Sequence, residues 1–257
     1  MYEMSGRPET ATAHTQAIGA VSVVIPCYNE APRLERWREL ITANAFLDWE
    51  WIFVNDGSRD NSREVLAAMA WDLEPCGMRI VDLPRNCGKG AAVRAGFMAA
   101  TRPCVGYVDA DLAASPLVFQ LYLDDAVRQG RTLLVGIRLL TADRLVQRTL
   151  FRHILGRLYQ TLFSCFLGST IYDSQCGFKL LATAKARALA ADMRCDGFAF
   201  DAELLLLAQQ HHDMHLREVP IAWSERGGSS VRPWSAFRML VDLWLIRRRL
   251  LRHGSQE

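Results

Sequence analysis

Val105-Gly106-Tyr107-Val108-Asp109-Ala110-Asp111 is a short apolar run that ends in two carboxylates separated by one alanine. Its apolar part has the length and composition of a buried strand bounded by turn residues. The two acids then stand where that strand leaves its sheet, at a cleft. Carboxylates two positions apart can hold one divalent cation, directly or through water, and a hard cation so bound also takes phosphate oxygens. The stretch therefore points to a strand edge and to metal-assisted chemistry on a diphosphate. Taken alone, the same pattern also fits a solvated loop, so the surrounding chain has to decide.

Working outward, strand signals alternate with helical ones. Val21-Ser22-Val23-Val24-Ile25-Pro26 is a β-branched run that stops at proline, and Leu34 to Ala43 follows with helical spacing. Trp49 to Val54 reads as a second strand, ended by Asn55-Asp56-Gly57-Ser58. Ser62 is placed to cap a helix through Val65, Leu66 and Met69. Arg79 to Leu83 is a third strand, and Gly88-Lys89-Gly90 opens a helix over Ala91 to Ala100. Cys104 to Val108 is the fourth strand, and Thr132 to Gly136 a further one. This rhythm predicts an α/β fold: a parallel sheet with helices on both faces and ligand loops at the carboxyl ends of the strands.

Composition narrows the class. Of 257 residues, 50% are hydrophobic, enough for a sizeable core in one large domain. A formal charge of +2 excludes a general nucleic-acid binder. The arginines are unevenly placed, with Arg226, Arg232, Arg238, Arg247, Arg248, Arg249 and Arg252 near the C-terminal end, which favours contact with an anionic surface. Seven cysteines without a C-x-x-C pair fit reduced thiols better than zinc or a disulfide framework. Residues 1–19 read as a flexible lead-in with neither a secretion signal nor a membrane anchor, and no run of about 18 apolar residues occurs. The expectation is a cytoplasmic protein that lies on a membrane face without spanning it.

Two segments carry that expectation. Around 144–167, Val146, Leu150, Ile154, Leu158 and Leu162 recur every four positions, with Arg144, Arg148, Arg152 and Arg157 opposite. A helix packed on the core with a solvated arginine face fits this pattern, and so does one lying among anionic headgroups. From 233 to 257 a second basic amphipathic helix is expected. It starts at Pro233, with Trp234, Phe237, Leu240, Val241, Trp244 and Leu245 on one side, then Arg247-Arg248-Arg249. Residues 20–232, with 144–167 among them, are expected to form one domain that carries the site.

The strand-end loops read Ile25-Pro26-Cys27-Tyr28-Asn29-Glu30, Val54-Asn55-Asp56-Gly57-Ser58, Asn86-Cys87-Gly88-Lys89-Gly90 and Asp109-Ala110-Asp111. Further on come Asp173-Ser174-Gln175-Cys176-Gly177-Phe178-Lys179, Phe200-Asp201-Ala202-Glu203 and Trp223-Ser224-Glu225-Arg226-Gly227-Gly228-Ser229. In this order they resemble the family 2 glycosyltransferases of GT-A fold, most of all the dolichyl- or polyprenyl-phosphate β-glucosyltransferases, over roughly residues 20 to 250. The resemblance implies a mostly parallel central sheet and transfer of glucose from UDP-glucose to a polyprenyl phosphate, with inversion, at a membrane surface.

It also implies roles. Pro26, Tyr28 and Glu30 would frame the nucleoside, Glu30 at the ribose, and Asp56 would accept the uracil N3–H. Lys89 would stand by the diphosphate, with Gly90 permitting close approach. Asp109, Ala110 and Asp111 would form the donor loop, with Asp111 and Asp109 ligating Mg²⁺ or Mn²⁺. Asp173 would orient the acceptor, and Asp201 with Glu203 would form a catalytic acidic pair. Lys179, Arg226 and Ser229 would meet the acceptor phosphate. Simpler readings stand beside these: Glu30, Asp201 and Glu203 as acids at helix starts, Asp56 as a turn residue before glycine, Asp173 as a structural loop aspartate, and Lys179, Arg226 and Ser229 as solvated surface groups.

Three departures matter. Ala113 stands where mannosyl-transferring members carry a glutamine, so a third metal ligand is not supplied there. The membrane helices of many relatives are not seen, and neither is the processive Q-x-x-R-W motif. The competing activities are transfer to a soluble acceptor, transfer from GDP-mannose or UDP-N-acetylglucosamine, and non-catalytic nucleotide-sugar binding. A pyrophosphorylase is disfavoured, because Pro26-Cys27-Tyr28 replaces its glycine-rich loop.

Overall fold

Side chains along the first strand alternate between two faces, and both faces are dry. In β1 (Val21–Cys27), Val24 packs into one apolar cluster while Val23 and Ile25 pack into another. The same division holds in β2 (Glu50–Asn55), where Ile52 and Val54 face one way and Trp51 and Phe53 the other. A strand buried on both sides is the mark of a parallel sheet covered by helices. The computed structural model describes residues 19–128, 130–139, 171–210, 214–224 and 233–253. The helical segment expected at 144–167, Arg226 and Ser229 lie outside them.

After β1 and β2 with α1 (Ala31–Ala43) between them, the chain runs α2 (Ser62–Leu73), β3 (Met78–Asp82), α3 (Lys89–Ala99) and β4 (Cys104–Val108). Then come α4 (Leu123–Arg128), β5 (Thr132–Leu139), β6 (Phe178–Ala182), α5 (Thr183–Asp192), α6 (Phe200–Gln210), β7 (His215–Ala222) and α7 (Pro233–His253). The sheet order is β3-β2-β1-β4-β6-β5-β7. Only β6 is reversed, pairing antiparallel with both β4 and β5. The carboxyl ends of the other six strands, and the amino end of β6, therefore share one edge. Every strand-end loop singled out in the sequence opens there.

Trp37 of α1 ties the core to that edge. Its ring is fully buried, edge-on to Trp51 at 6.2 Å and to Phe53 at 5.6 Å. Aromatic pairs of this kind contribute about 0.5–1.5 kcal/mol beyond area burial. Its Nε1–H donates to the carbonyl of Ala110 at 2.9 Å, which holds the Asp-Ala-Asp loop against the helix.

Two local expectations change. Ser62 is the first helical residue of α2, not its cap; its buried hydroxyl accepts the Glu30 N–H at 2.8 Å, and Asp60 accepts the Ser62 N–H instead. In α7 the buried stripe is Met239, Leu243, Ile246 and Leu250, whereas Val241, Trp244 and Leu245 face outward. The Trp234 and Phe237 side chains lie outside the described set. Among the described residues Cys27, Cys76, Cys87, Cys104, Cys176 and Cys195 carry free thiols, and no helix is long and apolar enough to cross a membrane.

Candidate active site

Asp109 follows directly on β4, and its carboxylate meets Lys89 from the first turn of α3 at 2.6 Å. It lies against Gly177, where an added methyl would strike it and push the carboxylate from its place. Asp111 is half-buried and accepts the Ala113 N–H at 2.9 Å. Between them and the next turn, Leu112 adopts φ 55°. A positive φ is costly for leucine and is retained where surrounding contacts hold it. Burial would lower the proton affinity of Lys89, but the charges of Asp109, Asp201 and Asp111 outweigh it and leave the ammonium firmly charged.

The nucleoside side of the rim is built by β1 and β2. Pro26 is still within β1, paired with Val54, and Tyr28 is partly exposed at the loop crest. Asn29 takes φ 56°, and its side-chain oxygen accepts the Arg59 N–H at 2.8 Å, clamping the first loop to the second. Glu30 is held by Arg33. Burial pushes the Glu30 carboxyl up, Arg33 pulls it down, and the nearby Asp111 and Asp109 push it up again. Three carboxylates thus share one electrostatic environment. Asp56 is buried, and its two oxygens accept the N–H groups of Cys87 at 2.7 Å and Gly88 at 2.8 Å. It therefore also organises the Lys89 loop, and burial holds its proton affinity above the ordinary carboxylate value.

On the acceptor side, Asp173 receives a two-pronged contact from Arg138 at the end of β5: Nε to Oδ2 at 2.6 Å and Nη2 to Oδ1 at 2.8 Å. The backbone N–H groups of Tyr172 and Asp173 both donate to Glu218 of β7, and the Arg138 guanidinium lies 5.3 Å from the Trp223 ring centre. Burial opposes the Arg138 charge, but Asp173 more than restores it, and Asp109 adds to the effect. Arg138, Glu218 and Trp223 have no role in the sequence reading. The available signal was the position of Arg138 just beyond the expected end of an apolar strand.

Three expected site residues stand elsewhere. Lys179 is fully buried in β6, and its ammonium donates to the carbonyls of Ser174 at 2.8 Å and Cys176 at 2.7 Å and to Asp201 at 2.6 Å. With three donors used, it has none left for an acceptor phosphate. Asp201 is buried in α6 and takes Lys179 and the Tyr107 hydroxyl, so it lies beneath the rim and does not open on it. Glu203 accepts the N–H groups of Arg194 and Cys195 and pairs with Arg249, which makes it a structural link. Gly90 does permit a close approach, but of the chain's own backbone: a methyl there would strike the Cys195 carbonyl and the Phe200 side chain. The Gly90 N–H donates to the Asp196 carbonyl at 2.8 Å.

Among the described residues no three His, Cys, Asp or Glu gather as a metal cluster. Magnesium ordinarily needs only one or two carboxylates, with substrate phosphates and water completing its shell. Asp109 and Asp111 supply that number of carboxylates.

The family model for glycosyl transferase family 2 matches residues 22–188. A dolichyl-phosphate beta-glucosyltransferase of Trichomonas vaginalis is 33% identical over 86% of this chain and 68% of its own length. One from Drosophila melanogaster is 34% identical over 88% and 74%. Among solved structures, glucosyl-3-phosphoglycerate synthase from Mycobacterium tuberculosis with uridine-diphosphate superposes with a TM-score of 0.65 at 18% identity, covering 89% of this chain and 80% of that one, which speaks for the fold alone. With the family match running from β1 into α5 and taking in Glu30, Asp56, Asp109, Asp111 and Asp173, this chain belongs to glycosyl transferase family 2 and has the GT-A architecture.

Proposed function

We propose that the protein transfers glucose from UDP-glucose to a polyprenyl phosphate of the dolichyl type, with inversion, while lying peripherally on the cytoplasmic face of a membrane. The observation that carries this is the 33% and 34% identity to dolichyl-phosphate beta-glucosyltransferases over most of the chain. The paired acids at the sheet edge support it.

Pro26, Tyr28, Glu30 and Asp56 would receive the uridine, and Lys89 with the Asp109-Ala110-Asp111 loop the diphosphate. A Mg²⁺ or Mn²⁺ ion held by Asp109 and Asp111 would offset the charge on the departing UDP. Lys89, already charged beside Asp109, would add a fixed positive charge at the same place. A phosphate oxygen of the acceptor is anionic at neutral pH and attacks the anomeric carbon without needing a strong base. Asp173, fixed by Arg138, would orient that acceptor. Arg226 and Ser229 remain the candidates for gripping its phosphate. Asp201 and Lys179 act from below, as positioning residues under Tyr107 and Lys89.

Incubation with a panel of UDP- and GDP-sugars, Mn²⁺ and a short polyprenyl phosphate, with products identified by mass, tests the proposal. A polyprenyl glucosyl phosphate formed from UDP-glucose is expected. Turnover of only GDP-mannose, or only with soluble acceptors, would overturn it.

A further inference from the structure

Helix α7 has two apolar faces. Met239, Leu243, Ile246 and Leu250 pack into the core. Val241, Trp244 and Leu245 are 41%, 53% and 49% exposed, and at 3.6 residues per turn they lie roughly opposite the buried stripe. Trp244 thus stands half in water between two exposed aliphatic side chains, on a face that the packing of α7 against the core does not use.

Basic groups frame this outer face. Arg248 lies over the Trp244 ring at 5.4 Å, and Arg238 is exposed one turn before Val241. Beside them a groove of about 790 Å³ separates α7 from the 194–197 loop. It is lined by Arg194, Arg238, Arg248 and Arg249 against Asp196 and Asp242, with Leu245 on its wall. Asp196 is engaged by Arg94 and Arg249 by Glu203. Burial first, and then the neighbouring Arg194 charge, weaken the hold of Arg249 on its proton.

We propose that the outer face of α7 and the adjoining arginine groove form a docking site for the phosphate headgroups of an anionic phospholipid bilayer. Aromatic and aliphatic side chains flanked by arginines suit the headgroup boundary, where apolar tips enter the acyl region and guanidinium groups meet phosphate. Charge complementarity selects this occupant: the four arginines of the groove outnumber its two acids, and lipid phosphates supply the missing negative charge. The site deepens the proposed function, since it rests on the acceptor being lipid-borne.

The test uses the full chain. It should sediment with vesicles containing phosphatidylglycerol but not with pure phosphatidylcholine, and high salt should release it. Arg238→Glu with Arg248→Glu should weaken vesicle binding at least about tenfold. Brominated phospholipid should quench a part of the tryptophan emission that is absent from Trp244→Phe. Equal quenching of both proteins, or undiminished binding by the double variant, would overturn the proposal. So would stabilisation by inorganic phosphate with no vesicle binding, which would mean a free-anion site. Transfer to a short polyprenyl phosphate in neutral detergent is measured alongside. A double variant that keeps transfer while losing vesicles supports docking through α7. Vesicle binding by a wild-type protein without transfer activity supports docking and removes the glucosyl-transfer reading alone.

Discussion

The Lys89 ammonium stands 2.6 Å from Asp109 Oδ1, so the first acid of the Asp-Ala-Asp loop has a resident counter-cation, while the second is held by the backbone N–H of Ala113. The two acids are therefore unequal before any ligand arrives. Asp111→Asn should erase the extra stabilisation that Mn²⁺ adds to UDP binding; saturating ligand at a hundredfold excess over its Kd stabilises by about 2.7 kcal/mol in all, so a lost share of it is measurable. Transfer should fall at least about a hundredfold. Lys89→Met should weaken UDP binding even without metal. Thermal shifts with UDP, with and without Mn²⁺, read both effects. Full metal-dependent stabilisation in Asp111→Asn would remove that residue from the metal site.

Lys179 and Asp201 form a buried ion pair with no water-facing surface to spare. Removing one partner leaves the other charged and unpaired, which costs about 3–5 kcal/mol. Lys179→Met and Asp201→Asn should each destabilise on that scale, and Lys179→Met with Asp201→Leu should recover part of the loss. Urea denaturation measures all three. Unchanged stability with a raised acceptor KM in Lys179→Met would instead make it a phosphate ligand.

Gly90 is wedged against the 195–196 backbone and Phe200. Gly90→Ala has to displace backbone, and overpacking of this kind costs about 1–3 kcal/mol. Gly19→Ala is the control, since nothing lies within 4 Å of that position. A lower denaturation midpoint for Gly90→Ala, with Gly19→Ala unmoved, is expected. Equal midpoints would mean that the 194–197 loop yields freely.

The sheet edge was legible because its signals are local. The β-branched run of Val21 to Ile25 and the apolar run before Asp109 each identify a strand and its end without help from elsewhere. β6 and β7 were not legible. Phe178-Lys179-Leu180-Leu181-Ala182 lacks β-branched residues, and its lysine is made tolerable in the core only by Asp201, 22 positions away. β7 contains Pro220, which a central strand would reject and this edge strand accepts. For the same reason Lys179 was read as a phosphate ligand or a solvated cation, and Asp201 as a catalytic or helix-start acid: sequence shows the charge but not the distant partner that buries it. Arg138 was missed because its significance comes from Asp173, 35 positions on.

Glu50, at the start of β2, accepts the Ser22 hydroxyl at 2.5 Å, the Thr101 N–H at 2.8 Å and Arg79 Nη1 at 2.5 Å. Burial alone would raise its proton affinity, but these hydrogen bonds outweigh burial and hold the carboxyl below its ordinary value of 4.5. In the window below 4.5 the unfolded chain then binds more protons at this position than the folded one, so the stabilisation is present above 4.5 and lost as pH falls through the depressed folded value. Glu30 and Asp56 are shifted the other way and oppose this trend, so a difference measurement isolates Glu50. Glu50→Gln should cost about 1–3 kcal/mol at neutral pH, since a charged acceptor is replaced by a neutral one. The gap between the two proteins should narrow steadily below pH 4.5. Denaturant midpoints across pH 3 to 7 follow it, and a gap constant with pH would mean that Glu50 contributes through packing and not through its charge.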